Sequence, residues 1–175
     1  YRLYKDKKYL SIDSDTKTQY KGSSSNIAGK SKTNVEQMMR YYKKNANYPS
    51  SIYKNYGASS LKKFCTICYE EANAEGIRAE VVFAQICKET GFLRFGGDVD
   101  ATQCNFGGIG ATGGGEKGLS FSSVRIGIRA QVQHLKAYAN KEPLKKACVD
   151  PRFSYVKRGT APVVEYLGIH ENPYG

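Results

Sequence analysis

The chain has 175 residues, of which 40% are hydrophobic and 25% are charged. This length suits one compact domain, alone or with an appended arm, and the composition lies far from that of disordered proteins. The most apolar stretch, 79–87, is short and contains Glu80 and Gln85. A membrane-crossing helix needs ~20 consecutive apolar residues, so the sequence excludes such a span.

The charge balance predicts an anionic partner. Lys and Arg number 27 against 16 for Asp and Glu, which gives a net charge of +11. Nucleic acid and an acidic cell-wall glycan would both be attracted to such a protein, and charge alone does not separate them. The 14 Tyr and 7 Phe residues offer rings that stack on bases or sugars, although packing inside the protein is their commoner use.

The cysteine pattern favours structural thiols. Five cysteines, an odd number, leave at least one thiol free. Cys65 and Cys68 form a CxxC pair, but Leu61, Cys65, Cys68 and Ala72 recur at helical spacing, so both thiols are expected to face a core. We therefore expect no metal site and no cofactor.

The first third of the chain predicts an arm followed by two helices. Residues 1–30 are rich in Lys and Ser and are predicted to form a basic arm or linker, with the folded domain over 31–175. Thr33 and Glu36 have the spacing of a capping box, which predicts a helix to about residue 44. Residues 47–57 are expected to be a connection. The next helix is expected to start at Ser59 or Ser60 and to end before residue 76.

The remainder predicts helices around a glycine-rich excursion. A helix is expected over 78–90, and the many glycines of 96–118 predict a loop or hairpin. A long helix should then begin at Ser122 or Ser123 and reach about residue 139. We expect its charged residues to be solvated; they are Arg125, Arg129 and Lys136. A short helix after residue 143, a turn at 149–151 and a last helix over 161–167 complete a mainly α domain of the α+β type.

Glu89 is the candidate for acid chemistry. It stands in the last turn of an apolar helix, next to Ile86 and Phe92. Desolvation and the partial negative charge at a helix C-terminus both raise the pKa of a carboxyl group. A glycosidase needs a carboxylic acid that stays neutral in order to protonate the departing glycosidic oxygen.

The sequence offers several candidates for the second catalytic group. Glu116 lies in the glycine-rich segment, and Asp98 and Asp100 are nearer to Glu89 in sequence. If the substrate carries a 2-acetamido group, the carbonyl oxygen of that group can attack the anomeric carbon itself. One acid would then suffice.

Two ordered motifs resemble a known family. They are Ala79-Glu80-Val81-Val82-Phe83-Ala84-Gln85-Ile86-Cys87-Lys88-Glu89-Thr90-Gly91-Phe92 and Gln103-Cys104-Asn105-Phe106-Gly107-Gly108-Ile109-Gly110. The first resembles the A-Q-x-x-x-E-[ST]-G helix, and the second the N-x-[FA]-G-[IL] segment, of the glucosaminidase domain of bacterial autolysins, glycoside hydrolase family 73. The likeness extends over about 31–173.

This resemblance implies a lysozyme-like helical fold with a small β-hairpin lobe over the substrate cleft. It implies an endo-β-N-acetylglucosaminidase that cleaves peptidoglycan between N-acetylglucosamine and N-acetylmuramic acid. Glu89 matches the catalytic acid, and Glu116 occupies the lobe that holds a second carboxylate. The implied substrate-binding residues are Gln85, Phe92, Asn105, Phe106, Gly107 and Ile109.

The sequence departs from the family at one tyrosine. Members often carry Tyr-Ala-Thr-Asp-Pro, whereas this chain reads Ala147-Cys148-Val149-Asp150-Pro151, so Tyr138 or Tyr155 is the candidate replacement. The implied protein is a secreted, wall-associated monomer that acts on glycan strands, with no nucleic acid and no membrane span. A muramidase or lytic transglycosylase on the same fold, and a non-catalytic basic module that binds wall polymer or nucleic acid, are the alternatives.

Overall fold

Helices make up the regular structure. The computed structural model describes residues 26–111, 115 and 117–167. Its α-helices are α1 (Val35–Lys43), α2 (Ser50–Tyr53), α3 (Leu61–Ala74), α4 (Ala79–Glu89) and α5 (Val124–Ala139). The predicted mainly helical class is confirmed. None of these described helices combines the length and the apolar character needed to cross a bilayer.

Helix starts follow the predicted capping chemistry with one shift. The hydroxyl of Ser60 accepts a hydrogen bond from the N–H of Lys63, and Ser123 caps α5 in the same way. The capping box of α1 is formed by Asn34 and Gln37, one residue later than predicted. Thr33 is used elsewhere, since its hydroxyl donates to the Glu80 carboxylate at 3.3 Å.

The core forms around α3, which packs against α1, α4 and α5. An aromatic cluster fills its centre; its buried members are Tyr42, Tyr53, Phe64 and Phe106. The thiols of Cys65 and Cys68 are buried in this core and free, as predicted from their helical spacing. Burial raises the pKa of the Cys65 thiol to about 12, so it packs as a small unreactive group.

The charged residues of α5 pair with buried carboxylates instead of lying free in solvent, which corrects the sequence-based expectation. Arg125 and Arg129 both donate to the fully buried Glu71 carboxylate, at 2.7 and 2.8 Å. Lys136 is itself fully buried, and its ammonium lies 2.9 Å from the carboxylate of Glu75. The reason is that Glu71 of α3 and Glu75, the residue that follows α3, are both buried against α5, which the pattern of α5 alone does not reveal.

The segments after α5 are less helical than predicted. Residues 141–149 are irregular where a short helix was expected. The Glu75 carboxylate holds this segment by accepting from the N–H groups of Lys145 and Lys146, each at 2.9 Å. The last predicted helix is only a 3₁₀ turn over Val164–Tyr166. Conversely, the predicted connection over 47–57 contains α2 and a 3₁₀ turn.

The described chain is packed from its first residues onward. Ile27 is fully buried, and its carbonyl accepts from the N–H of Arg78 at 3.0 Å. Isolated antiparallel bridges join Asn26 to Val163 and Ala28 to Ile77. Residues 1–25 lie outside the described residues, so the division into an arm over 1–30 and a domain over 31–175 stays a prediction.

Candidate active site

Glu89 is the last residue of α4, with part of its carboxyl group buried. Its Oε1 atom is buried and has no hydrogen-bond partner among the described residues. Burial raises the pKa of this carboxyl above its ordinary value, and the nearby positive charge of Lys88 only partly offsets the shift. A buried oxygen without a donor favours the protonated acid, because an ionised carboxylate there lacks stabilisation.

The backbone that follows Glu89 is unusual. Gly91, Phe92 and Leu93 all have positive φ angles, at 57°, 59° and 61°. Thr90 stabilises the turn: its hydroxyl donates to the carbonyl of Ile86 at 2.7 Å and accepts from the N–H of Leu93 at 2.8 Å. Non-glycine residues in this region cost about 1–3 kcal/mol each and concentrate at functional sites. The sequence predicted the end of the helix near Gly91, but not the left-handed conformation of Phe92 and Leu93.

Phe92, three residues after Glu89, belongs to a cluster of aromatic rings. Its ring centroid is 5.8 Å from those of both Tyr41 and Tyr42. The Tyr42 hydroxyl donates to the carbonyl of Phe92 at 2.7 Å, which fixes the turn to α1. Phe92 is half-buried and Tyr41 is exposed, so this edge of the site offers aromatic surface of the kind that stacks on sugar rings.

Gln85 connects α4 to α5 on the face that carries Glu89. The two residues are one helical turn apart, a spacing that places their side chains side by side. The Gln131 Nε2 atom donates to Gln85 Oε1 at 2.9 Å. Gly107 lies directly against Gln131, since a Cβ added at Gly107 would be 3.2 Å from Gln131 Cγ. The structure thus brings Gln85, Gly107 and the helix of Glu89 together.

The segment after Cys104 is held by Asn105. Its amide Nδ2 donates to the carbonyls of Ile109 and Leu119, both at 2.9 Å, and its Oδ1 accepts from the N–H of Ile109 at 2.8 Å. The side chains of Asn105, Phe106 and Ile109 are buried. These side chains hold the turn from inside, and their assignment to a sugar groove stays a prediction.

The other predicted site residues differ in placement. Tyr138 is half-buried and lies seven residues after Gln131, on the same face of α5, with its ring against His134. Tyr155 is 76% exposed and lies under the guanidinium of Arg152. Asp100 caps a 3₁₀ turn by accepting from the N–H of Thr102 at 2.8 Å. Glu116 lies outside the described residues.

A histidine–aspartate pair near this face was not predicted from the sequence. His134 Nδ1 is 2.8 Å from the Oδ2 atom of Asp150, whose side chain is fully buried. Asp150 also accepts from the N–H of Arg152 at 2.9 Å, so it orders the turn that carries Pro151. The sequence indicated the turn at 149–151, but not the pairing of its aspartate with a histidine 16 residues earlier.

A helical domain with a desolvated glutamate at a helix end and aromatic surface beside it has the features of a glycoside hydrolase. Comparison with known proteins gives the family. The model of the glucosaminidase family, described as mannosyl-glycoprotein endo-beta-N-acetylglucosaminidase, matches residues 65–166. The chain therefore belongs to the glucosaminidase family.

One curated relative is similar to most of the chain. An uncharacterized protein of Borreliella burgdorferi is 40% identical over 138 residues, which cover 79% of this chain and 64% of that protein. The chain thus spans less than two thirds of the length of this relative. No solved structure gave a significant match.

Proposed function

We propose that this chain is an endo-β-N-acetylglucosaminidase that cleaves the bond between N-acetylglucosamine and N-acetylmuramic acid in peptidoglycan, with Glu89 as the general acid. The observation that carries the proposal is the Glu89 carboxyl, whose Oε1 is buried without a partner and whose pKa is raised. Membership of the glucosaminidase family supports a glycoside hydrolase.

In the proposed reaction, Glu89 donates its proton to the glycosidic oxygen as the bond to the anomeric carbon breaks. The positive charge that develops on the sugar is then met by the acetamido oxygen, by water or by a second carboxylate. Glu116 is the candidate for that carboxylate. Phe92 stacks on a sugar ring, while Gln85 and the backbone at Gly107 border the cleft. Of the two candidate tyrosines, Tyr138 is better placed than Tyr155 because it shares a face of α5 with Gln131.

The proposal also includes the fold of the domain, its location and the role of its charge. We also propose a lysozyme-like fold with a small β-hairpin lobe over the substrate cleft. The protein would act as a secreted, wall-associated monomer, an autolysin, with a basic arm over 1–30. Its net charge of +11 would speed the encounter with the anionic cell wall, an effect that salt screens.

The experiment that tests this proposal combines a lytic assay with product analysis on purified peptidoglycan. Glu89→Gln should reduce the rate by ~10²-fold or more, the usual scale for loss of a general acid. Glu36→Gln, at an exposed glutamate of α1, is the matched control and should retain full activity.

The reducing ends of the products decide which bond is cut. Reducing N-acetylglucosamine supports the proposal. Reducing N-acetylmuramic acid or anhydro sugars would identify a muramidase or a lytic transglycosylase instead. Absence of turnover in the wild type, with wall binding unchanged in Glu89→Gln, would identify a non-catalytic module.

A further inference from the structure

Two buried glutamines of α5 differ in a way that packing does not explain. Gln133 is fully buried and uses both ends of its amide: Nε2 donates to the carbonyl of Ala147 at 2.9 Å, and Oε1 accepts from the N–H of Val149 at 2.8 Å. Gln131 is 2% exposed, yet its Oε1 is buried without a partner among the described residues. Such an atom lowers stability, because the loss of its hydrogen bonds to water is not offset by a bond within the protein.

Gln131 uses its amide only toward the proposed active site. The Nε2 atom donates to Gln85 Oε1 at 2.9 Å, and the backbone of Gly107 lies against its Cγ and Cδ atoms. Leu or Met would fill the same volume without an unsatisfied oxygen. A residue that lowers stability in this manner, next to the helix face of Glu89, points to a role in function.

The hydrogen bond fixes the orientation of the Gln85 amide. Because Gln85 Oε1 is taken by Gln131, the Nε2 end of Gln85 must point the other way. Gln85 is half-buried, and Glu89 is its neighbour one helical turn later. The amide therefore has its N–H donors, and not its oxygen, directed away from Gln131, on the helix face that carries Glu89.

We propose that Gln131 is a positioning residue that acts through Gln85, so that Gln85 Nε2 donates a hydrogen bond to an acceptor oxygen of the bound N-acetylhexosamine. The inference rests on the proposed function. Gln131 itself does not touch the sugar. Its contribution is to prevent rotation of the Gln85 amide, which would turn an oxygen toward the oxygens of the substrate.

The test compares Gln131→Met with Gln133→Met for stability, kinetics on peptidoglycan and binding of an N-acetylglucosamine tetramer. Gln131→Met should unfold at the wild-type temperature or above, because it removes an unsatisfied buried oxygen. It should raise KM and the Kd of the tetramer by about 10-fold, the value of one hydrogen bond near 1.4 kcal/mol. The pH profile of kcat should not move, since Glu89 is retained. Gln133→Met should lower stability and leave KM unchanged.

Gln85→Met supplies the second arm. It should weaken binding by the same factor as Gln131→Met, and the double variant should be no weaker than either single variant, because both remove one interaction. Additive losses in the double variant, or an unchanged KM in Gln131→Met, overturn the inference while the wild type remains active. A wild type that neither cleaves peptidoglycan nor binds the tetramer overturns the proposed function, and the inference with it.

Discussion

Replacement of Glu89 by Gln should increase the stability of the protein at neutral pH while it lowers the activity by ~10²-fold or more. The pKa of the Glu89 carboxyl is raised by burial in the folded protein. A raised pKa means that the folded state loses stability as the pH rises from the ordinary carboxyl range through the raised value. The neutral amide of Gln has no such titration, so the variant should gain relative to the wild type as the pH rises.

The size of this gain follows from one buried oxygen. The Oε1 atom has no donor among the described residues, while the side chain as a whole is only partly buried. We therefore expect the lower end of the cost of an unsatisfied buried group, about 1 kcal/mol at pH 8. For a chain of this size that corresponds to a rise in Tm of about 2–4 °C.

Differential scanning calorimetry from pH 4 to pH 8 measures the effect, with Glu36→Gln as the control at an exposed position. The difference between Glu89→Gln and the wild type should be near zero at pH 4 and should grow toward pH 8. Glu36→Gln should track the wild type throughout. A constant difference at every pH, or a loss of stability at pH 8, would refute the argument that the Glu89 carboxyl is destabilised in its charged form.

Three further substitutions test contacts that support the site. Glu71→Ala should lower the unfolding free energy by about 3–5 kcal/mol in urea titrations, because it leaves the cations around a buried carboxylate uncompensated. Glu70→Ala, at a half-exposed pair, should lower it by less than ~1 kcal/mol. Equal losses in the two variants would contradict this reasoning. Gly127→Ala should cost about 1–3 kcal/mol or more, since its methyl group would overlap the carbonyl oxygen of Cys104. At about 2–4 °C per kcal/mol, a Tm that stays close to that of the wild type would contradict the close approach. Asn105→Ala removes three hydrogen bonds and should lower both the Tm and the kcat/KM on peptidoglycan, and an unchanged Tm would show that the turn does not depend on Asn105.

Glu71 and the three cations that contact it, Arg125, Arg129 and Lys146, form a cluster whose stability should depend on acid pH. Burial alone would raise the pKa of Glu71, but hydrogen bonds from Arg129, Arg125 and Lys146 outweigh it and lower the pKa to about 2. The stabilisation is therefore present above the ordinary carboxyl range and is lost as the pH falls toward 2. These charges join α3 to α5, so the cluster holds together the two helices behind the site.

The sequence by itself determined the three longest helices and the position of the acid. The bounds of α3, α4 and α5 were predictable because capping residues and apolar spacing act within a few residues of the chain. The same local signals placed Glu89 at the apolar end of α4, and the two motifs indicated the family.

Only the tertiary structure decided which polar residues are buried and which partners they find. The pairing of Lys136 with Glu75 joins residues that are 61 positions apart, and that of Gln131 with Gln85 joins residues 46 positions apart. The turn held by Asn105 uses the carbonyl of Leu119, and the burial of Phe106 depends on Tyr53 and Phe64. Periodicity within one helix shows which face is polar, but solvation of that face depends on the charges that another helix presents to it.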